Sequence, residues 1–270
     1  MKRLICLVVL ATFATLGRAV PDRKPTGENG PPKNFTNNIG MRFVWIKPGS
    51  FVMGSPREEE GRGDNEIQHK VTLTKGFYMG VHLVTQEHWQ AVTGDYLSEV
   101  TDEKNIPVGD VSWDDCQNFI QKLRDRDKNS YRLPSEAKWE FACRAGSKTP
   151  FYFGETISTD QANYNGDRTY GKGKKGVHRG KPMPVGSFPA NAWGLHDMHG
   201  NSWQWCQDWY GEYPQKEVVD PQGPEKGTER VLRGGCWNEI PQSCRSANRF
   251  RDVPGLRIYD IGCRLCFSVE

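Results

Sequence analysis

The sequence predicts an α+β domain with little regular secondary structure. Three observations lead there: short β-rich runs at both ends of the chain, helix-period segments confined to residues 85–146, and a stretch from Ser147 to Glu229 made of turns, aromatics, glycines and prolines. Irregular backbone on that scale needs partners for its buried polar groups, which disulfides, tryptophan packing or bound calcium can supply.

Residues 1–19 read as a secretory signal peptide: Lys2 and Arg3, an apolar run from Leu4 to Leu16, then Gly17-Arg18-Ala19. The run is short for a bilayer span, and no cysteine follows the cleavage point, so a secreted or periplasmic protein with no membrane anchor is expected. Cleavage removes three of the 36 basic residues and none of the 33 acids, taking the formal charge from +3 to zero. A neutral chain has no general pull on nucleic acid or anionic lipid. Residues 20–35 form a Pro/Gly-rich linker, and residues 36–270 are expected to be one domain, working as a monomer.

Within that domain, "MRFVWIKPGSFVMGS" gives two β-rich runs around Lys47-Pro48-Gly49-Ser50, a hairpin-like signal, and "HKVTLTKGFYMGVHLVT" gives two more. The charged segment between them, "PREEEGRGDNEIQ", reads as a solvated loop. Thr85 caps a helix ending at Gly94. Ser112, with Asp115 as its capping-box partner, opens a second whose buried stripe includes Cys116. Pro134 suits the first turn of a third, ended by Gly146. Regular pattern then returns only at "RVLRGG" and "GCRLCFSV".

Cys6 leaves with the signal, so seven of the eight cysteines stay. Seven is odd: in an oxidising compartment disulfides are expected, with at least one thiol unpaired within the chain. Two of them, Cys236 and Cys244, lie in "RGGCWNEIPQSCRSANRFRD" beside a Gly-Gly pair, either as a working thiol pair or as framework cysteines.

Five ordered segments, "FTNNIGMRFVWIKPGSFVMGS", "PVGDVSWDDCQNFIQKL", "YRLPSEAKWEFACRAG", "PVGSFPANAWGLHDMHGNSWQWCQDWY" and "RVLRGGCW...CRSANR...GCRL", resemble the formylglycine-generating enzyme, or sulfatase-modifying factor, family over residues 36–270. The resemblance implies a single C-type-lectin-like domain. It also implies oxidation of a cysteine in an exported sulfatase to formylglycine, using oxygen and copper(I). Soft thiolates select copper(I), and the catalytic family members supply them as Cys-x4-Cys.

The interval from Arg249 to Gly262 matches the family's, which puts the second catalytic position on Ser246 and the first on Pro241. Cys236 and Cys244 are then the candidate catalytic residues, as a shifted pair. By the same resemblance a calcium loop falls on Asp197, Gly200, Ser202 and Gln204, where the family has Glu at the last position. A second metal site falls on Asn163, Tyr164, Val177 and Arg179, with Val177 where a carboxylate is expected. His196 and His199 read as loop-packing histidines. Cys143 matches a family cysteine bonded to the C-terminal segment, which makes Cys263 or Cys266 its disulfide partner here.

Two functions stay open. One is a formylglycine-generating-type oxidoreductase acting on an exported sulfatase. The other is a lectin-like binding module for a peptide, glycan or partner protein.

Overall fold

The computed structural model describes residues 31–95 and 105–269. The expected signal peptide and most of the linker lie outside the described residues. The strands are β1 (Asn34–Thr36), β2 (Arg42–Ile46), β3 (Gly49–Met53), β4 (His69–Leu73), β5 (Phe77–Gly80), β6 (Trp203–Trp209), β7 (Val218–Val219), β8 (Arg230–Arg233), β9 (Phe250–Asp252), β10 (Ile261–Cys263) and β11 (Cys266–Phe267). The helices are α1 (Gln86–Thr93), α2 (Trp113–Asp127) and α3 (Glu136–Arg144), and Pro241–Cys244 forms a 3-10 turn. β1 begins at Asn34, so the domain edge expected at residue 36 falls inside a strand.

The strands make three small sheets, ordered β1-β2-β5-β11, β10-β6-β8-β9 and β3-β4-β7. The expected hairpin across Lys47-Pro48 is not one. β2 pairs with β1 and β5, whereas β3 pairs with β4, Gly49 opposite Leu73. Alternation in sequence marks a strand but does not name its partner, and here the chain changes sheets between two adjacent strands.

β6, "WQWCQDW", lies inside the stretch read as irregular. Five of its seven residues are buried, on both faces of the strand, so it lacks the period-2 signature of a half-solvated strand. It is the centre of its sheet, antiparallel to β8 and parallel to β10.

The helix caps follow the sequence. Thr85 and Ser112 close capping boxes with His88 and Asp115, and Gly94 ends α1 in the left-handed conformation. α2 lays Cys116, Phe119, Ile120 and Leu123 on the core, with Phe119 stacked 4.8 Å from Trp89 of α1. α3 starts two residues after Pro134, because Ser135 is the N-cap and accepts from the Lys138 amide. All nine α3 residues are buried, including Glu136, Lys138, Glu140 and Arg144. A helix buried on every side with four charges must find ionic partners inside the protein. Among the described residues no helix is long and apolar enough to cross a membrane.

Candidate functional site

β8 ends in Gly234 and Gly235, both at positive φ (98° and 72°). A Cβ on Gly235 would sit 2.6 Å from Cys244 Sγ. Glycine is therefore required twice over, by backbone conformation and by contact. The turn brings the two candidate thiols into one neighbourhood but gives them separate partners. Cys236 Sγ donates to Asp260 Oδ2 at 3.2 Å, and Cys244 Sγ points to the Ile240 carbonyl at 3.8 Å. Cys236 packs into the core around α2, Cys244 into a cluster with Phe151, Tyr164 and Tyr170. Both are fully buried. Burial, then the Asp260 carboxylate, pushes the Cys236 thiol far above its ordinary range, and burial, then Glu239, does the same to Cys244. These are neutral thiols, whereas a metal-binding or nucleophilic pair needs thiolates.

Pro241 heads the 3-10 turn, and Ser246 follows it into the core. The Ser246 amide donates to Pro150 O at 2.7 Å, and its hydroxyl accepts from Cys143 Sγ at 3.6 Å. Cys143 also touches His199, each ring nitrogen 4.0 Å from sulfur. His199 Nε2 accepts from the Tyr152 amide at 3.0 Å, so Nδ1 carries the hydrogen and donates to Cys244 O at 2.7 Å. Burial holds its pKa down at about 3, which keeps it neutral. His196 lies elsewhere, ring to ring with His82 at 4.9 Å. Both histidines serve the loop, as read from the sequence.

The implied Cys143 bridge is corrected. Cys143, Cys263 and Cys266 are free thiols, like the other four described cysteines, and Cys143 Sγ is turned to Met198, His199 and Ser246.

The arginines of this segment were not foreseen as a framework. Arg233 binds Glu136 at 3.1 Å, Glu140 at 2.5 Å and Ser246 O at 2.6 Å. Arg249 binds both Glu136 oxygens, at 2.6 and 2.8 Å, over the ring of Tyr213. Arg245 reaches Glu66 at 2.7 and 2.8 Å and Glu59 at 2.5 Å. The loop read as solvated thus buries two of its acids against Arg245. The available signal was Glu136 and Glu140 on the one helix with apolar residues all round.

In the Asp197 loop, Asp197 Oδ2 accepts from the Gly186 amide at 2.9 Å, while Oδ1 is buried without a partner. Gln204 Oε1 accepts from Trp139 Nε1 at 2.9 Å and from Arg264 Nε at 3.0 Å. Two N–H donors fix that atom as oxygen, so Gln204 Nε2 is the atom facing the Asp197 carbonyl, 2.9 Å away. The Gly200 carbonyl accepts from Ser202 N, and Ser202 Oγ donates to Asp260 O at 3.1 Å. In the neighbouring strand-like bridge, Asn163 Nδ2 bonds Lys181 O and Asn201 Oδ1, leaving Asn163 Oδ1 buried and unpaired. Tyr164 is buried and donates its hydroxyl to Ile157 O. Val177 is largely exposed and supplies no oxygen from its side chain.

The family described as the sulfatase-modifying factor enzyme 1-like domain matches residues 28–269. The chain belongs to this family. It is 32% identical over 259 residues to the serine/threonine-protein kinase pkn1 of Chlamydia caviae, covering 84% of this chain but 38% of the kinase. It is 30% identical over 242 residues to the formylglycine-generating enzyme of Bos taurus, covering 86% of this chain and 61% of the enzyme. The chain therefore spans less than two thirds of these relatives. Among solved structures, PvdO from Pseudomonas aeruginosa is similar at TM-score 0.73 and 29% identity, covering 87% of this chain and 97% of that one. Treponema denticola variable protein 1 shares the fold, with TM-score 0.72 and 24% identity.

The metals tied to the sulfatase-modifying factor family fit these residues poorly. Cys236 and Cys244 are neutral, buried and turned to different acceptors, so they do not fit copper(I). In the calcium loop only Asp197 Oδ1 awaits a partner, and Gln204 presents a donor where a cation needs an oxygen. At the second position Asn163 Oδ1 suits a cation, but the carboxylate is missing. Among the described residues no three His, Cys, Asp or Glu side chains are grouped to hold a metal ion.

Proposed function

We propose that this member of the sulfatase-modifying factor family is an exported protein that holds a polypeptide without oxidising it. The observation that carries this reading is the state of the site: Pro241 and Ser246 at the two catalytic positions, and Cys236 and Cys244 each buried, protonated and bonded to a separate oxygen. Sulfur in that state gives neither a copper(I) ligand pair nor a nucleophile at neutral pH.

Exposed apolar side chains in the segment that carries the site support the binding role. Phe250, Val253 and Tyr259 are about half exposed, at 48%, 48% and 56%, and Ile240 is 39% exposed. Phe250 stacks on Trp203 at 5.3 Å, and Tyr259 leans on Trp237 at 5.7 Å. Aromatic groups presented on a rigid frame are what polypeptide interfaces use as anchors.

The test uses reduced protein, copper(I), air and a Cys-x-Pro-x-Arg peptide, read by mass spectrometry for the aldehyde and by tryptophan fluorescence for binding. Binding without aldehyde, weakened in Tyr259→Asp, is the expected outcome. Aldehyde formation that depends on Cys236 and Cys244 would restore the oxidoreductase reading, whose support is that both thiols are free on one turn.

A further inference from the structure

A pocket of about 220 Å³ is lined by Gly40, Arg42, Gly80, His82, His88 and Asn105 among others. Its walls are the start of β2, the end of β5 and the first turn of α1. Among the described residues no carboxylate lines it.

Two of its polar side chains, His88 and Arg42, present a donor and a cation. His88 Nδ1 accepts from the Thr85 amide at 3.3 Å as part of the α1 capping box, so its hydrogen sits on Nε2. Arg42 is exposed and, among the described residues, has no ion pair or hydrogen bond through its guanidinium. Beneath Gly80 lies Arg264, fully buried, whose guanidinium is satisfied only by neutral oxygens: Gly80 O and Val81 O at 2.8 and 2.9 Å, Gln204 Oε1 at 3.0 Å, and the carbonyls of His196 and Asp197. Arg264 is not itself part of the lining; its charge lies behind Gly80.

The other charged and titratable groups leave that field in place. His82 packs on His196. Glu87 on α1 is exposed and outside the lining, and the Asp197 carboxylate is bonded to the Gly186 amide rather than to Arg264. A concave site with the Arg42 guanidinium and the His88 N–H in its wall, and no acid among the described lining residues, favours an anion.

We infer that this pocket binds a small oxyanion, a carboxylate or phosphate group, held by the Arg42 guanidinium and His88 Nε2–H. The assignment is independent of the polypeptide reading, because it uses none of the thiols or of the exposed aromatic groups named there. Carboxylate and phosphate present the same acceptor oxygens and differ in charge, so both are probes.

The experiment titrates the whole protein with sodium acetate and with inorganic phosphate at constant ionic strength, following the histidine ring signals by NMR. Saturable shifts of the His82 and His88 rings with either anion, weakened about tenfold in Arg42→Gln, are expected from the loss of one charge-assisted hydrogen bond. Lys226→Gln, an exposed lysine in the loop before β8, is the control for general charge and should bind like wild type. No saturable shift with either anion, or equal weakening in both variants, would overturn the assignment. The stronger of the two probes identifies the ligand class.

Discussion

The Cys143 sulfur lies 3.6 Å from the Ser246 hydroxyl, at the position where catalytic relatives carry a thiol. One residue therefore separates this core from a sulfur pair. Ser246→Cys sets a second sulfur against Cys143. With oxidised glutathione the two thiols give up their hydrogens and two electrons, forming a disulfide while glutathione is reduced. Peptide mass spectrometry should find residues 143 and 246 cross-linked. A residue-143 thiol that still alkylates after oxidation refutes the contact. Burial, which holds the Cys143 pKa up at about 12, makes the reaction slow at neutral pH and faster as pH rises.

Arg245 holds the loop of Glu59 and Glu66 onto the candidate site, and Glu66→Gln leaves that buried guanidinium without its bidentate partner. A loss of about 3–5 kcal/mol is expected in urea unfolding. A change within the scatter of surface substitutions would show that Arg245 is not confined as described.

Glu136 and Glu66 also set the acid limit of the fold. Burial acts to raise both, but Arg249 and Arg233 at Glu136, and Arg245 at Glu66, hold them below the ordinary carboxylate value of 4.5. The unfolded chain then takes up protons first, so stability falls as pH drops below about 4.5. Asp208 has the opposite sign. Burial, then the charge of Glu136, lifts it to about 7, so the folded state holds its proton longer and stability declines between about 4 and 7 as pH rises. Asp208→Asn keeps an acceptor for the Glu136 amide and should flatten that decline. Chemical unfolding across this range checks it, and parallel curves for the two proteins would count against the buried carboxyl.

Gly235→Ala combines a left-handed backbone with a methyl group against Cys244. About 2–4 kcal/mol should be lost, measured as a shift in urea midpoint at constant slope. An unchanged midpoint would mean that the turn relaxes freely.

Calcium is expected to leave the melting temperature unchanged, since Gln204 directs an amide hydrogen at the Asp197 carbonyl. A concentration-dependent rise on adding calcium, reversed by chelation, would contradict that arrangement.

What could be read from the sequence depended on how local the physics is. Thr85, Ser112 and Gly94 announce helix ends because capping is settled within four residues. The placing of the family's catalytic positions on Pro241 and Ser246 came from the resemblance, through the interval between Arg249 and Gly262. β6 was invisible because a strand covered on both faces has no alternation, and the β2–β3 pairing was misjudged because partner choice depends on distant chain. The acids of residues 56–68 looked solvated, since nothing nearby reveals that Arg245 lies across from them. The orientation of Gln204 is a three-body matter among Trp139, Arg264 and Asp197, beyond any short pattern.

The burial of α3 carries a consequence for how the protein is made. Its two acids, Glu136 and Glu140, are answered by Arg233 and Arg249, roughly a hundred residues downstream. A chain emerging from the ribosome holds a helix it cannot yet bury, because Glu136 would enter the core without counter-charge and Glu140 with only Arg144 beside it. Completion must wait for the last quarter of the chain, which ties the middle of the domain to its end. Such a domain folds late and as one unit, and a fragment lacking the final forty residues, Arg233 among them, would have nowhere to put its central helix.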